Sequence, residues 1–92
     1  MKREKDMDRD QVLKVVCECV AVVLGVAEDE LTENTHLRAE YDVDSLELTE
    51  MGARLESRFD IRLEMEDLTY FQTLGDVVAR MQQRIPAEPV TA

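Results

Sequence analysis

Histidine occurs once in this 92-residue chain, cysteine and proline twice each, glycine three times, and tryptophan not at all. These scarcities exclude several chemistries. Cys17 and Cys19 lie two positions apart, so on a helix they point to different sides and are poorly placed to bridge each other. With His36 as the one distant nitrogen ligand they do not complete a zinc site, which needs four ligands in workable spacing. They read as reduced thiols, Cys19 in the core and Cys17 more exposed. Gly25, Gly52 and Gly75 are isolated, so no glycine-rich loop cradles a phosphate. His36 reads as a solvated loop residue rather than a base. Nor does a thin core build the deep apolar pocket that would retune the many carboxylates for acid–base work. No catalytic or metal-binding residue is therefore expected. The apolar stretch Val20-Ala21-Val22-Val23-Leu24 is far too short to span a bilayer. Residues 1–10 are charged throughout and lack the apolar core of a secretory signal. The expectation is one small, soluble, cytoplasmic domain with no membrane association.

Positive charge is also scarce: 11 Lys and Arg stand against 21 Asp and Glu, a net charge of −10. Nucleic-acid binding is excluded, because phosphate contacts require basic side chains. The imbalance is local. Residues 1–27 and 68–92 are each neutral overall, whereas residues 28–67 carry 14 acids against Arg38, Arg54, Arg58 and Arg62. Such a segment can steer basic partners to one region of the surface.

What the chain does have is helical periodicity. Val12, Val16, Cys19, Val20 and Val23 predict a buried stripe on a first helix over residues 8–24, with Asp6 or Asp8 as cap and Gly25 as stop. Residues 26–44 hold no sustained period and predict a long loop. Leu31, Leu37, Tyr41 and Val43 pin it to the core, and a short helical turn is possible at residues 27–30. Asp44 is a good N-cap for a second helix over residues 44–59, and Glu47 completes a box-like arrangement three residues on. Its buried stripe is Leu48, Met51, Gly52, Leu55 and Phe59. Leu46, Thr49 and Ala53 form a second row, and Glu47, Glu50, Arg54 and Arg58 face outward. A short helix is expected near residues 64–70. Thr73, with Asp76 in a capping box, starts a last helix over residues 74–84 that buries Leu74, Val77, Val78, Met81 and Ile85. The predicted fold is all-α, a small four-helix bundle of three long helices and one short, with a long loop between helices one and two. Residues 1–9 form a charged extension, 10–85 the domain, and 86–92 a flexible tail containing Pro86 and Pro89.

Two constellations invite a functional reading. A calcium loop starting at Asp42 fails: Leu46 stands at the third ligand position, Glu47 at the glycine position and Ala53 at the twelfth. Asp44-Ser45-Leu46 is more informative. Ser45, one of only two serines beside Ser57, falls on the first turn of the second helix, where backbone N–H groups and the helix dipole favour an attached phosphate. Taken alone, this is also how an ordinary helix begins.

Around that tripeptide the chain resembles acyl carrier proteins. Leu24-Gly25-Val26, the acidic loop with Leu31 and Leu37, Tyr41-Asp42-Val43-Asp44-Ser45-Leu46, Leu55-Glu56-Ser57-Arg58-Phe59, Leu63 and Thr73-Leu74 match that family over roughly residues 10–85. The resemblance implies a non-catalytic carrier with 4'-phosphopantetheine attached to Ser45 through a phosphodiester, its terminal thiol holding acyl groups as thioesters. It also implies a phosphopantetheinyl transferase and acyl-loading, ketosynthase or acyltransferase type enzymes as partners with basic docking surfaces. Asp44, Glu47 and Glu50 would meet their basic groups, and Leu46, Thr49 and Ala53 would fill a shallow apolar contact. A mobile carrier of this kind is expected to be a monomer. The divergent signature and a less uniformly acidic second helix lean toward polyketide or other secondary metabolism over housekeeping fatty-acid synthesis. An aminoacyl or peptidyl carrier and an unmodified acidic helical adaptor are the alternatives. Two positions depart from the usual pattern. Asp42 stands where the family has glycine, three residues before the serine: either it takes a left-handed backbone, which Asp tolerates at modest cost, or the motif turn is slightly rearranged. Gly52 leaves room in the middle of the second helix, either for close helix approach, for the attached chain, or as a void filled by Met51 or Met81.

Overall fold

The computed structural model describes residues 8–85, and every described element is helical. Helix α1 spans Arg9–Leu24, a 3-10 turn Glu28–Glu30, α2 Leu37–Tyr41, α3 Ser45–Phe59, α4 Met65–Thr69 and α5 Leu74–Arg84. Asp6 and the tail at residues 86–92 lie outside the described residues. No described helix is long and apolar enough to cross a membrane.

Local chemistry sets the ends of the long helices. Asp8 caps α1, accepting from the Gln11 amide at 2.9 Å while the Gln11 side chain accepts from the Asp8 amide. Gly25 ends it with φ 73°, a left-handed conformation that needs no Cβ. Reciprocal boxes also open α3 (Asp44 with Glu47) and α5 (Thr73 with Asp76), as the sequence predicts. The predicted stripe of α3 is also its buried set: Leu48, Met51, Gly52, Leu55 and Phe59. It packs, together with α5, against Val12, Val16 and Val20 of α1.

Three details differ from the expectations. Val23 and Ile85 are only partly buried, each at the last turn or cap of its helix. Cys17 keeps more exposure than Cys19, 9% against 3%, yet both are buried. Desolvation raises the pKa of both thiols, Cys17 also feeling Glu28 and Glu18, so neither is an activated nucleophile. The long connection contains helix α2, which five residues are too few to announce by periodicity. Its N-cap is His36, whose Nδ1 accepts from the Ala39 amide at 3.1 Å, and its C-cap is Asp42 at φ 53°. The backbone at Asp42 is thus left-handed, the first of the two options its place in the signature leaves.

The connection is held to the core as expected: Leu31, Leu37 and Val43 are buried and Tyr41 packs beside them. It is also stitched to the start of α5. Leu37 N–H donates to Gln72 C=O at 2.8 Å, Leu74 N–H to Thr35 C=O at 3.1 Å, and Gly75 N–H to Glu33 C=O at 2.8 Å. These bonds fix where α2 begins, and the left-handed Asp42 fixes where it ends.

Candidate functional site

Ser45 is the first helical residue of α3 and is solvent-exposed. Asp44 before it commits one carboxylate oxygen to the Glu47 amide at 2.8 Å, and Glu47 Oε1 accepts from the Asp44 amide at 3.1 Å. The N–H groups of Ser45 and Leu46, in the first turn, have no intrahelical acceptor and add their partial positive charge to that of the dipole. A singly charged phosphodiester on the Ser45 hydroxyl would sit where this field favours it. Ser57, by contrast, lies about 18 Å further along the same helix at 1.5 Å per residue, away from any helix start.

Ser45 lines a shallow groove of about 310 Å³ between α3 and α4, together with Arg38, Leu48, Thr49, Met65, Leu68 and Thr69. A second depression of about 220 Å³ continues past Gly52 and Ala53. Gly52 allows the two helices to meet here: a Cβ built on it would stand 2.9 Å from Leu68 Cδ2. Of the roles considered for Gly52, close helix approach is the one the packing supports; Leu68 fills the gap, not Met51 or Met81.

The remaining predicted residues surround Ser45. Leu46 is 76% exposed, and Thr49, Glu50 and Ala53 are exposed along the same side of α3. Thr49 Oγ1 donates to the Ser45 carbonyl at 2.9 Å, so its hydroxyl is turned back to the helix. Glu50 approaches Arg54 at 3.8 Å, and Arg58 reaches Glu18 on α1 at 2.8 Å. Periodicity did not reveal Met65, 69% exposed on the opposite lip of the groove, nor Leu68 and Arg38. All three sit on five-residue helices, where no apolar period can establish itself.

Helix α4 owes its placement to one buried charge. Asp67 is fully buried; its carboxylate accepts from the Glu64 amide at 2.7 Å and from Arg84 at 2.9 Å, with Arg80 at 3.3 Å. Burial pushes this carboxyl up, but the Glu64 amide and the two guanidinium groups outweigh it and hold the pKa below the ordinary carboxylate value. Arg80 also stacks over the Tyr70 ring at 4.1 Å.

The family model described as the phosphopantetheine attachment site matches residues 14–81. An acyl carrier protein of an Exiguobacterium species is 39% identical over 79 residues, covering 86% of this chain and all of the relative. The meromycolate extension acyl carrier protein of Mycobacterium bovis is 27% identical over 84 residues, covering 91% of this chain and 73% of the relative. Among solved structures, the apo doublet acyl carrier protein from prodigiosin biosynthesis superposes with a TM-score of 0.73 at 24% identity. The match takes in 90% of this chain but only 41% of that one. The acyl carrier protein of Enterococcus faecalis gives 0.68 at 23%, covering 84% of this chain and 98% of that one. At these identities the two structures speak to the fold.

Proposed function

The chain belongs to the acyl carrier protein family, and from that premise we propose that Ser45 is its attachment serine and the groove beside it the face it shows to partner enzymes. The protein is a non-catalytic carrier whose cofactor, 4'-phosphopantetheine, is covalently bound to a serine. When bound, that group supplies the thiol on which acyl cargo travels as a thioester. The family works with a phosphopantetheinyl transferase and with biosynthetic enzymes.

The observation that carries the reading is the exposed Ser45 hydroxyl on the first turn of α3, beside two N–H groups without helical acceptors. In the transfer, Ser45 Oγ forms a new bond to the phosphorus of coenzyme A that bears the pantetheine. The bond from that phosphorus to the departing adenosine bisphosphate breaks, and the transferase takes the hydroxyl proton. This chain contributes orientation and a fixed positive field.

Docking is assigned to the exposed side of α3. Asp44, Glu47 and Glu50 meet basic groups on partners, and Leu46, Thr49 and Ala53 make the apolar contact, extended by Met65 across the groove. Contacts of this kind favour fast, charge-steered encounters over tight burial, which suits a carrier visiting several active sites as a cytoplasmic monomer. Arg54 and Arg58 interrupt the acidity of α3, and Asp42 replaces the usual glycine. Both features support a carrier of polyketide or other secondary-metabolite intermediates over one dedicated to housekeeping fatty acids.

Incubation with coenzyme A and a broad-specificity phosphopantetheinyl transferase, followed by intact mass measurement, tests the reading. One added phosphopantetheine is expected, and none on the Ser45→Ala variant. An unchanged mass for the unmutated protein would leave an unmodified acidic adaptor as the better description. Loading with aminoacyl groups in preference to acyl groups would move the assignment to the aminoacyl carriers.

A further inference from the structure

We infer that Arg38 anchors the phosphodiester on Ser45, an inference that rests on the assignment of Ser45 as the attachment serine. Arg38 and Ser45 line the same groove, one from α2 and the other from the start of α3. Arg38 is the only Lys or Arg between Lys14 and Arg54, a stretch that includes ten carboxylates. Five other described arginines, Arg9, Arg54, Arg58, Arg80 and Arg84, form ion pairs with Asp or Glu; among the described residues Arg38 forms none. Asp42 follows it by one helical turn, the spacing of an ion pair on a continuing helix. The left-handed backbone at Asp42 ends α2 there and no such pair forms.

Electrostatics gives that cation a use. A phosphodiester on Ser45 adds a negative charge beside Asp44 and Glu47 and within two turns of Glu50. The helix N-terminus offsets part of the repulsion. A guanidinium lining the same groove from α2 offsets more, and its planar fork suits two phosphate oxygens at once. Arg38 is thus a positioning residue. It holds the first atoms of the attached group toward the α3–α4 groove and away from the acidic surface.

The test is side-chain NMR on the full-length protein before and after modification, with the site of modification checked by mass spectrometry. Attachment should shift the Nε–Hε resonance of Arg38 and slow its exchange with water about two- to five-fold, the range expected of one partly exposed charge pair. Arg62, also exposed and in the same acidic segment, should not change. The difference in melting temperature between modified and unmodified protein should shrink in Arg38→Gln, persist in Arg38→Lys and be unaltered in Arg62→Gln. Because the readout is the modified protein at rest, it reports the attached phosphodiester and not coenzyme A during transfer. An Arg38 resonance indifferent to modification at Ser45 would overturn the inference while leaving the attachment site intact. Modification at another residue would overturn both.

Discussion

Asp42 and Asp67 are both acidic residues in the acidic segment, and they do opposite things. Asp42 is exposed and its backbone, at φ 53°, matters more than its charge, since it ends α2 one residue before Val43 enters the core. The signature, where a glycine is usual, pointed to that backbone as one of two options, and the structure selects it. Asp67 is buried, and nothing in the run Glu64-Met65-Glu66-Asp67-Leu68 distinguishes it from its acidic neighbours; the Glu64 amide and the arrival of Arg84 and Arg80 from α5 make its burial tenable. Since its folded pKa lies below the ordinary value of 3.8, the carboxylate stabilises the fold above that pH and the contribution is lost as pH falls through the folded value. Asp67→Asn should therefore lower stability at neutral pH by about 2 kcal/mol, because it breaks a buried pair whose arginines are partly solvated. Denaturant unfolding of both proteins between pH 7 and pH 2 should show the gap closing at the acid end. A gap independent of pH would refute the charge argument.

At the scale of helices, capping chemistry and apolar stripes were readable wherever an element exceeded ten residues. Asp44 with Glu47 and Thr73 with Asp76 locate two helix starts, and α3 buries the residues its pattern marks. Helix α2 was not readable, because its order comes from long-range bonds to the start of α5 and from a histidine cap. The groove beside Ser45 was half readable for the same reason: its α3 wall follows from periodicity, its α4 wall does not. The Gly52–Leu68 contact joins the two walls and allows a test. Gly52→Val should cost about 1–3 kcal/mol by overpacking against Leu68. Leu68→Ala in the same chain should recover part of that loss, as a double-mutant cycle by urea unfolding would show. Strict additivity of the two substitutions would contradict the packing described.

Over the whole molecule the deciding feature is where charge accumulates. Residues 28–67 carry a net −10 and include both α3 and the acidic 3-10 turn, while the segments on either side are neutral. Self-repulsion within that region should make the fold salt-sensitive, with the melting temperature rising by a few degrees between low ionic strength and about 0.5 M NaCl as the screening length shortens. A melting temperature indifferent to salt would mean that the carboxylates are too far apart to interact.

The central claim is that one hydroxyl, at the start of α3, carries the cofactor. Its most direct test is proteolytic mapping of the protein after treatment with coenzyme A and a phosphopantetheinyl transferase. A phosphopantetheine adduct is expected on the peptide containing Ser45, with Ser57→Ala modified as fully as the unmutated chain. An adduct on Ser57, or none on either serine, would contradict it.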